Sequence, residues 1–182
     1  ALVVLIPALM IVRAPIMKFF RAIREPFLLA FSTASSEAAL PRALEKMVEY
    51  GGPKSVAGFV IPAGYSFNLD GSTLYISLAS LTIAQAAGIK MSLETELLMM
   101  LTFLLTSKGV AGVPRASLVI IAAGCAAFNL PGEAGVAMIL AVDEIMDMAR
   151  TSINVMGNCV ASVVVARWEG VLGTPAHVRD ES

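Results

Sequence analysis

The sequence predicts an all-α, polytopic membrane protein in which several helices are broken. Three observations carry that expectation. Apolar residues make up 57% of the 182-residue chain and charged residues only 15%. Mean hydropathy is +0.79, well beyond ordinary soluble domains. Several apolar segments are too short or too interrupted to cross a hydrocarbon core, which takes about 20 residues. Finally, Asp143, Asp147, Arg150, Asn154 and Asn158 recur at steps of four, three, four and four inside a long apolar run. At roughly 100° per residue they share about 80° of one helix face. A polar stripe of this kind is costly in lipid, so it reads as a solute or ion site turned toward a protein interior.

The elements follow in order. The opening run ALVVLIPALMIV has no initiator methionine, charged n-region or cleavage site, and reads as a start inside a membrane helix, with further helices expected upstream. Pro7 and Pro15 bracket the end of this segment. Ile16 to Phe31 is amphipathic and runs into Ser32, Thr33, Ala34, Ser35 and Ser36, after which Glu37 to Tyr50 forms a charged second arm. Helix, serine-rich tip and returning helix make a re-entrant hairpin, tolerated in a bilayer only where protein covers its irregular backbone. The tip is therefore expected to be buried. Ser36 and Glu37 open the second arm, so free N–H groups and a positive dipole end favour an anion there.

Val56 to Phe67 and Thr73 to Ala87 flank Asn68-Leu69-Asp70-Gly71-Ser72. Asp-Gly also suits a surface turn, but each half is too short to span alone, which favours one span interrupted at its middle. Leu93 to Thr106, the tip Ser107 to Arg115, and Ala116 to Asn129 repeat the hairpin pattern. Two hairpins, each followed by a helix, are the weak internal symmetry of inverted-repeat carriers. Gly132 to Arg167 forms the last long helix, with Arg167 and Trp168 as interfacial anchors.

Several classes are excluded. The net charge of −1, with 13 dispersed Lys and Arg, provides no basic field for nucleic acid and no peripheral membrane face. Cys125 and Cys159 lie in apolar stretches without metal or redox spacing and read as small core residues. His177, the single histidine, falls in the polar tail and reads as solvated. No nucleophile–base pair, metal cluster or nucleotide loop points to an enzyme, and no cofactor is expected.

Four motifs in order, Ser32-Thr-Ala-Ser-Ser-Glu-Ala-Ala-Leu-Pro41, Gly64-Tyr-Ser-Phe-Asn-Leu-Asp-Gly-Ser72, Ser107-Lys-Gly-Val-Ala-Gly-Val-Pro114 and Asp147-Met-Ala-Arg-Thr-Ser-Ile-Asn-Val-Met-Gly-Asn158, resemble the dicarboxylate/amino acid:cation symporter family. The resemblance is strongest to its bacterial proton-coupled glutamate/aspartate branch and covers essentially the whole chain. It implies a C-terminal transport core. Residues 1–15 would end a sixth transmembrane helix, 16–50 form a first hairpin, 53–88 an interrupted seventh helix, 93–130 a second hairpin, 132–168 an eighth helix and 169–182 a polar tail. The N-terminal scaffold that builds the family's homotrimer would lie upstream.

The same resemblance implies roles. Arg150 would pair with a substrate's side-chain carboxylate, a task suited to its bidentate fork, and Asp147 would hold the α-ammonium. Thr151 and Asn154 would be polar contacts, and Ser72 would stand near the side-chain carboxylate. Ser36, with backbone groups around Ala34, Gly112 and Val113, would cradle the α-carboxylate. Ser66, Asn68, Asp70, Ser107, Asn154 and Asn158 match cation-binding or coupling positions, with Asn68, Asp70 and Asn158 as the set that would hold Na+. Gly109 and Pro114 fall in a gate tip. Retaining both Arg150 and Asp147 implies an acidic amino acid, since neutral-substrate members lose the first and C4-dicarboxylate members lose the second. The plain alternative is an intrahelical ion pair between residues three apart. Asp143 either orients Arg150 or lines a cavity. Lys108 and Arg115 are either solvated gate charges or steer the anion.

Leu69 replaces the methionine of the sodium-coupled members' motif, and Asn158 replaces an aspartate. These changes imply a weakened sodium site and lean toward H+ coupling, with Na+ as the other reading. The acidic proton acceptor of mammalian members falls on Ile76, so Asp70, Asp143 and Glu37 remain as proton carriers if burial raises their pKa. The expectation is thus elevator-type symport of glutamate or aspartate across a plasma membrane by a multi-pass homotrimer. The alternatives are a dicarboxylate or neutral amino acid carrier, or a membrane binding or signalling protein.

Overall fold

A computed structural model describes residues 2–67, 70–106 and 116–173, and all regular structure among them is helical. The helices are α1 (Leu2–Ile11), α2 (Ile16–Thr33), α3 (Ser36–Tyr50), α4 (Lys54–Phe67), α5 (Asp70–Ala86), α6 (Leu93–Thr106), α7 (Ala116–Ala127) and α8 (Gly132–Trp168). Among the described residues no helix is long and apolar enough to cross a membrane. α8 has the length, 37 residues, but its stripe of charges and amides interrupts its apolar character.

α8 is the axis of the molecule, and α1, α2, α3, α4, α5 and α7 all pack on it. Two apolar cores divide it lengthwise. One gathers Leu9, Phe19, Ile23, Met47 and Ile61 around Val155, Cys159 and Val163 of its C-terminal half. The other gathers Tyr75, Ile76, Ile83, Met99, Phe103, Ile121 and Cys125 with Ile139 of its N-terminal half. Full burial of a side chain such as Phe19 or Ile83 contributes about 1.5–3 kcal/mol. Both cysteines are free and buried.

α2 and α3 double back on each other. Ala34 takes the left-handed conformation at φ +48° after α2, and the Ser35 side chain caps α3 by accepting from the Ala38 N–H. Along the pair, Glu25 meets Arg42 at 2.6 Å and Lys46 at 3.6 Å. Farther from the tip, Lys18 Nζ donates to the Tyr50 carbonyl at 3.3 Å, satisfying one of the acceptors that a helix C-terminus leaves open. The tip differs from expectation: Ser32 and Thr33 are exposed and Ala34 to Ser36 half-buried. Its hydroxyls bond locally, Thr33 Oγ1 donating to Leu29 O at 2.7 Å.

α4 and α5 lie within the expected span of residues 53–88. Asn68 and Leu69 lie outside the described residues, as does the second tip, Ser107 to Arg115, between the packed arms α6 and α7. α1 ends at Ile11, between Pro7 and Pro15, with Pro7 inside the helix, and Pro26, Pro41 and Pro62 likewise sit inside α2, α3 and α4. Each removes one backbone donor from its helix. The start of the expected polar tail is not loose: Gly173 N donates to Gly51 O at 2.7 Å, and Leu172 packs on the first core. His177 lies outside the described residues. Trp168 stays exposed at the end of α8.

Much apolar surface is left open. α6 exposes Leu93, Leu97, Leu98, Leu101 and Leu105, and the first half of α8 exposes Met138, Leu140, Val142 and Ile145. Apolar surface on this scale marks faces that meet lipid or further protein.

Candidate functional site

The polar stripe of α8 lies at the seam between the two cores, beside the point where α4 ends and α5 begins. Asp143, Thr151, Asn154 and Asn158 are buried, and Arg150 and Asp147 expose only 13% and 16% of their side chains. A buried amide or charge is tolerable only when hydrogen-bonded, and the facing helices supply the partners.

Asn154 is the link to α5. Its Oδ1 accepts from the Gly71 N–H at 2.8 Å, and its Nδ2 donates to Ser72 Oγ at 3.1 Å. One side chain on α8 thereby bonds an amide in the first turn of α5. The approach is close enough that a Cβ on Gly71 would overlap the Arg150 carbonyl oxygen, which is why this position takes glycine.

Arg150 reaches three helices. Its Nη1 donates to Ser117 Oγ on α7 at 2.9 Å and to Ser72 Oγ on α5 at 3.4 Å, and its Nη2 pairs with Asp147 one turn earlier. Nε is buried and makes no hydrogen bond among the described residues. The intrahelical pair considered from sequence therefore exists, but as one edge of a cluster that also ties α5 and α7 to α8. Asp143 Oδ1 accepts from Tyr75 Oη at 2.5 Å.

The remaining expected residues divide. Ser72, Asp147, Arg150 and Asn154 come together, with Thr151 buried on the same helix. Asn158 is wholly buried against Gly64 of α4, where a Cβ would collide with its amide. Ser36 stands at the α2–α3 tip, and its carbonyl accepts from Tyr65 Oη at 2.8 Å. Ala34 is half-buried beside it, while Ser66, Asp70 and Glu37 are exposed. Asp70 and Asn158 thus occupy opposite environments. Asn68, Ser107, Lys108, Gly109, Gly112, Val113, Pro114 and Arg115 lie outside the described residues. Tyr75, Tyr65 and Ser117 were not anticipated. Tyr75 follows Ser72 by three residues on one helix face, a spacing that could have marked it, whereas Ser117 carries no comparable signal.

Chemically, the cluster offers a guanidinium, a carboxylate and an amide side by side in a site largely screened from solvent. That donor set suits a small solute bearing both charges. The fold among the described residues is an all-helical core built around one long axial helix that carries this polar cluster. The chain belongs to the sodium:dicarboxylate symporter family, whose model matches residues 1–168. It is 52% identical over 149 residues to the proton/glutamate-aspartate symporter of Escherichia coli, covering 82% of this chain and 34% of that protein. It is 48% identical over 155 residues to the proton/sodium-glutamate symport protein of Bacillus caldotenax, covering 85% and 37%. Identity is 49% over 164 residues to the C4-dicarboxylate transport protein of Bordetella avium, covering 90% and 37%. The chain thus spans about a third of the length of the relatives it matches.

Proposed function

We propose that this chain is the substrate-binding core of a secondary carrier that symports an acidic amino acid with H+ or Na+. The observation that carries the reading is the juxtaposition of Arg150 and Asp147 within one buried cluster, a cation and an anion on the same helix edge. A carboxylate taking the Nε and Nη2 edge of Arg150 would release Asp147 for the substrate's ammonium group. Exchanging one ion pair for two complementary ones costs little electrostatic energy, and neither charge is left unpaired in a low-dielectric site. A C4-dicarboxylate offers no ammonium group to Asp147, and a neutral amino acid offers no side-chain carboxylate to Arg150.

In this reading α2–α3 and α6–α7 are the re-entrant hairpins, and α4 and α5 are the halves of an interrupted span. Ala34, Ser36, Gly112 and Val113 cradle the α-carboxylate, and Thr151 and Asn154 line the substrate. The second tip, with Gly109 and Pro114, is the gate. The open apolar faces of α6 and α8 support a membrane setting, met by lipid and by the scaffold of a homotrimer, across which the core moves as an elevator. Ser66, Asn68, Asp70, Ser107, Asn154 and Asn158 are the coupling residues. Asn158 in place of an aspartate weakens a sodium site and favours proton coupling, and the names of the proton/glutamate relatives support that choice.

The test is calorimetric binding to the purified full-length protein. L-aspartate and L-glutamate are expected to bind at least about tenfold more tightly than succinate or L-serine, the discrimination a site built for a specific polar group achieves with ease. Succinate binding as tightly as L-aspartate would replace this reading with a C4-dicarboxylate carrier.

A further inference from the structure

Resting on the reading of Arg150 as the substrate-carboxylate group, we propose that Ser117 is a positioning residue that sets the plane of the Arg150 guanidinium. A guanidinium recognises a carboxylate only when its planar fork is aimed. The Arg150 side chain is long and would otherwise sample many rotamers. Ser117 Oγ, 2.9 Å from Nη1 and contributed by α7, and Ser72 Oγ, 3.4 Å from the same nitrogen and contributed by α5, hold that one corner from two helices. Both serines are 2% exposed, so water does not substitute for them. With Nη1 held, the Nε and Nη2 edge faces away from the serines. Nε on that edge makes no hydrogen bond among the described residues, and Nη2 pairs with Asp147.

Because Ser117 sits on the second residue of α7, directly after the second tip, its hydroxyl also links the arginine to that arm. When α7 is seated, Arg150 is aimed; when Arg150 is aimed, α7 gains a charge-assisted bond. Each event favours the other by the same factor, as linkage requires. A packing role for Ser117 would depend on its volume, whereas this role depends on its strength as an acceptor.

Three variants of the full-length protein separate the possibilities: Ser117→Ala, Ser117→Cys and Arg150→Ala, each assayed for L-aspartate uptake in proteoliposomes. Cysteine keeps the size of serine but is a weak acceptor. Both Ser117 variants are expected to raise KM roughly tenfold, the scale of a lost hydrogen bond to a charged group. Their kcat should stay within about twofold, the signature of lost binding. A wild-type KM in Ser117→Cys, in both variants, or a fall in kcat at unchanged KM, would overturn the proposal. Arg150→Ala reports on the underlying reading: if it keeps the wild-type KM for L-aspartate, the substrate assignment itself fails. If it loses uptake while the Ser117 variants are unaffected, only the role of Ser117 falls.

Discussion

Tyr75 Oη donates to Asp143 Oδ1 at 2.5 Å, joining α5 to the first half of α8 between two buried side chains. The bond lies one turn before the Asp147 and Arg150 pair on α8 and one turn after Ser72 on α5, so it brackets the candidate site from the side of the second core. Asp143 is therefore a tie between α8 and α5.

Tyr75→Phe removes the donor and leaves a buried carboxyl facing a ring edge. The expected cost is about 1.5–3 kcal/mol for a hydrogen bond to a charged group. The thermal midpoint of the full-length protein should fall by several degrees, and Asp143→Asn, which keeps an acceptor, should lower it less. Equal midpoints for wild type and Tyr75→Phe would show that the bond contributes nothing to the helix contact.

Gly71→Ala places a methyl group against the Arg150 carbonyl oxygen and Asn154 Oδ1. α5 must then move away from α8, loosening the Gly71–Asn154 and Ser72–Asn154 bonds together. Overpacking of this kind costs about 1–3 kcal/mol, and substrate binding is expected to fall by about tenfold or more. Gly58 on α4 is the control, because a Cβ there meets nothing within 4 Å. Gly58→Ala should leave binding unchanged and stability equal or slightly higher.

Asp147→Asn keeps the shape of the site and removes the anion. In the proposed account it abolishes recognition of an ammonium group, so L-aspartate uptake is expected to drop by roughly tenfold to a hundredfold, the range for a charge-assisted bond. Succinate uptake should be reduced less or gained. Parallel loss of both substrates in competition assays would assign Asp147 to the pairing of Arg150 alone.

Asn158→Asp supplies the hard anionic oxygen that a sodium site favours, in a position already shaped for a side chain of this size against Gly64. Sodium stimulation of uptake is expected to appear or increase in this variant. A sodium response identical to wild type would remove Asn158 from the coupling set.

The helical class and the axial helix were legible because periodicity along one helix is a local property: the steps from Asp143 to Asn158 define a face before any neighbour is known. A cut in the apolar run near residue 70, within which Asn68 and Leu69 lie outside the described residues, was legible from its polar and turn-forming residues. The contacts between helices were not. Tyr75, Tyr65 and Ser117 act on residues 68, 29 and 33 positions away, and nothing in local spacing encodes which partner a side chain meets. Pro7, Pro26, Pro41 and Pro62 are accommodated inside helices that tertiary packing on α8 sustains. The docking of Gly173 on Gly51 depends on backbone atoms alone and leaves no trace in residue type.

The most direct test of the account is radiolabelled L-aspartate uptake by the full-length protein in proteoliposomes, driven by an imposed proton gradient or by a sodium gradient, one at a time. Accumulation driven by the proton gradient, absent without it and lost in Arg150→Ala, is the expected result. Binding of L-aspartate with no concentrative uptake under either gradient would contradict the assignment of this chain to a symporter core.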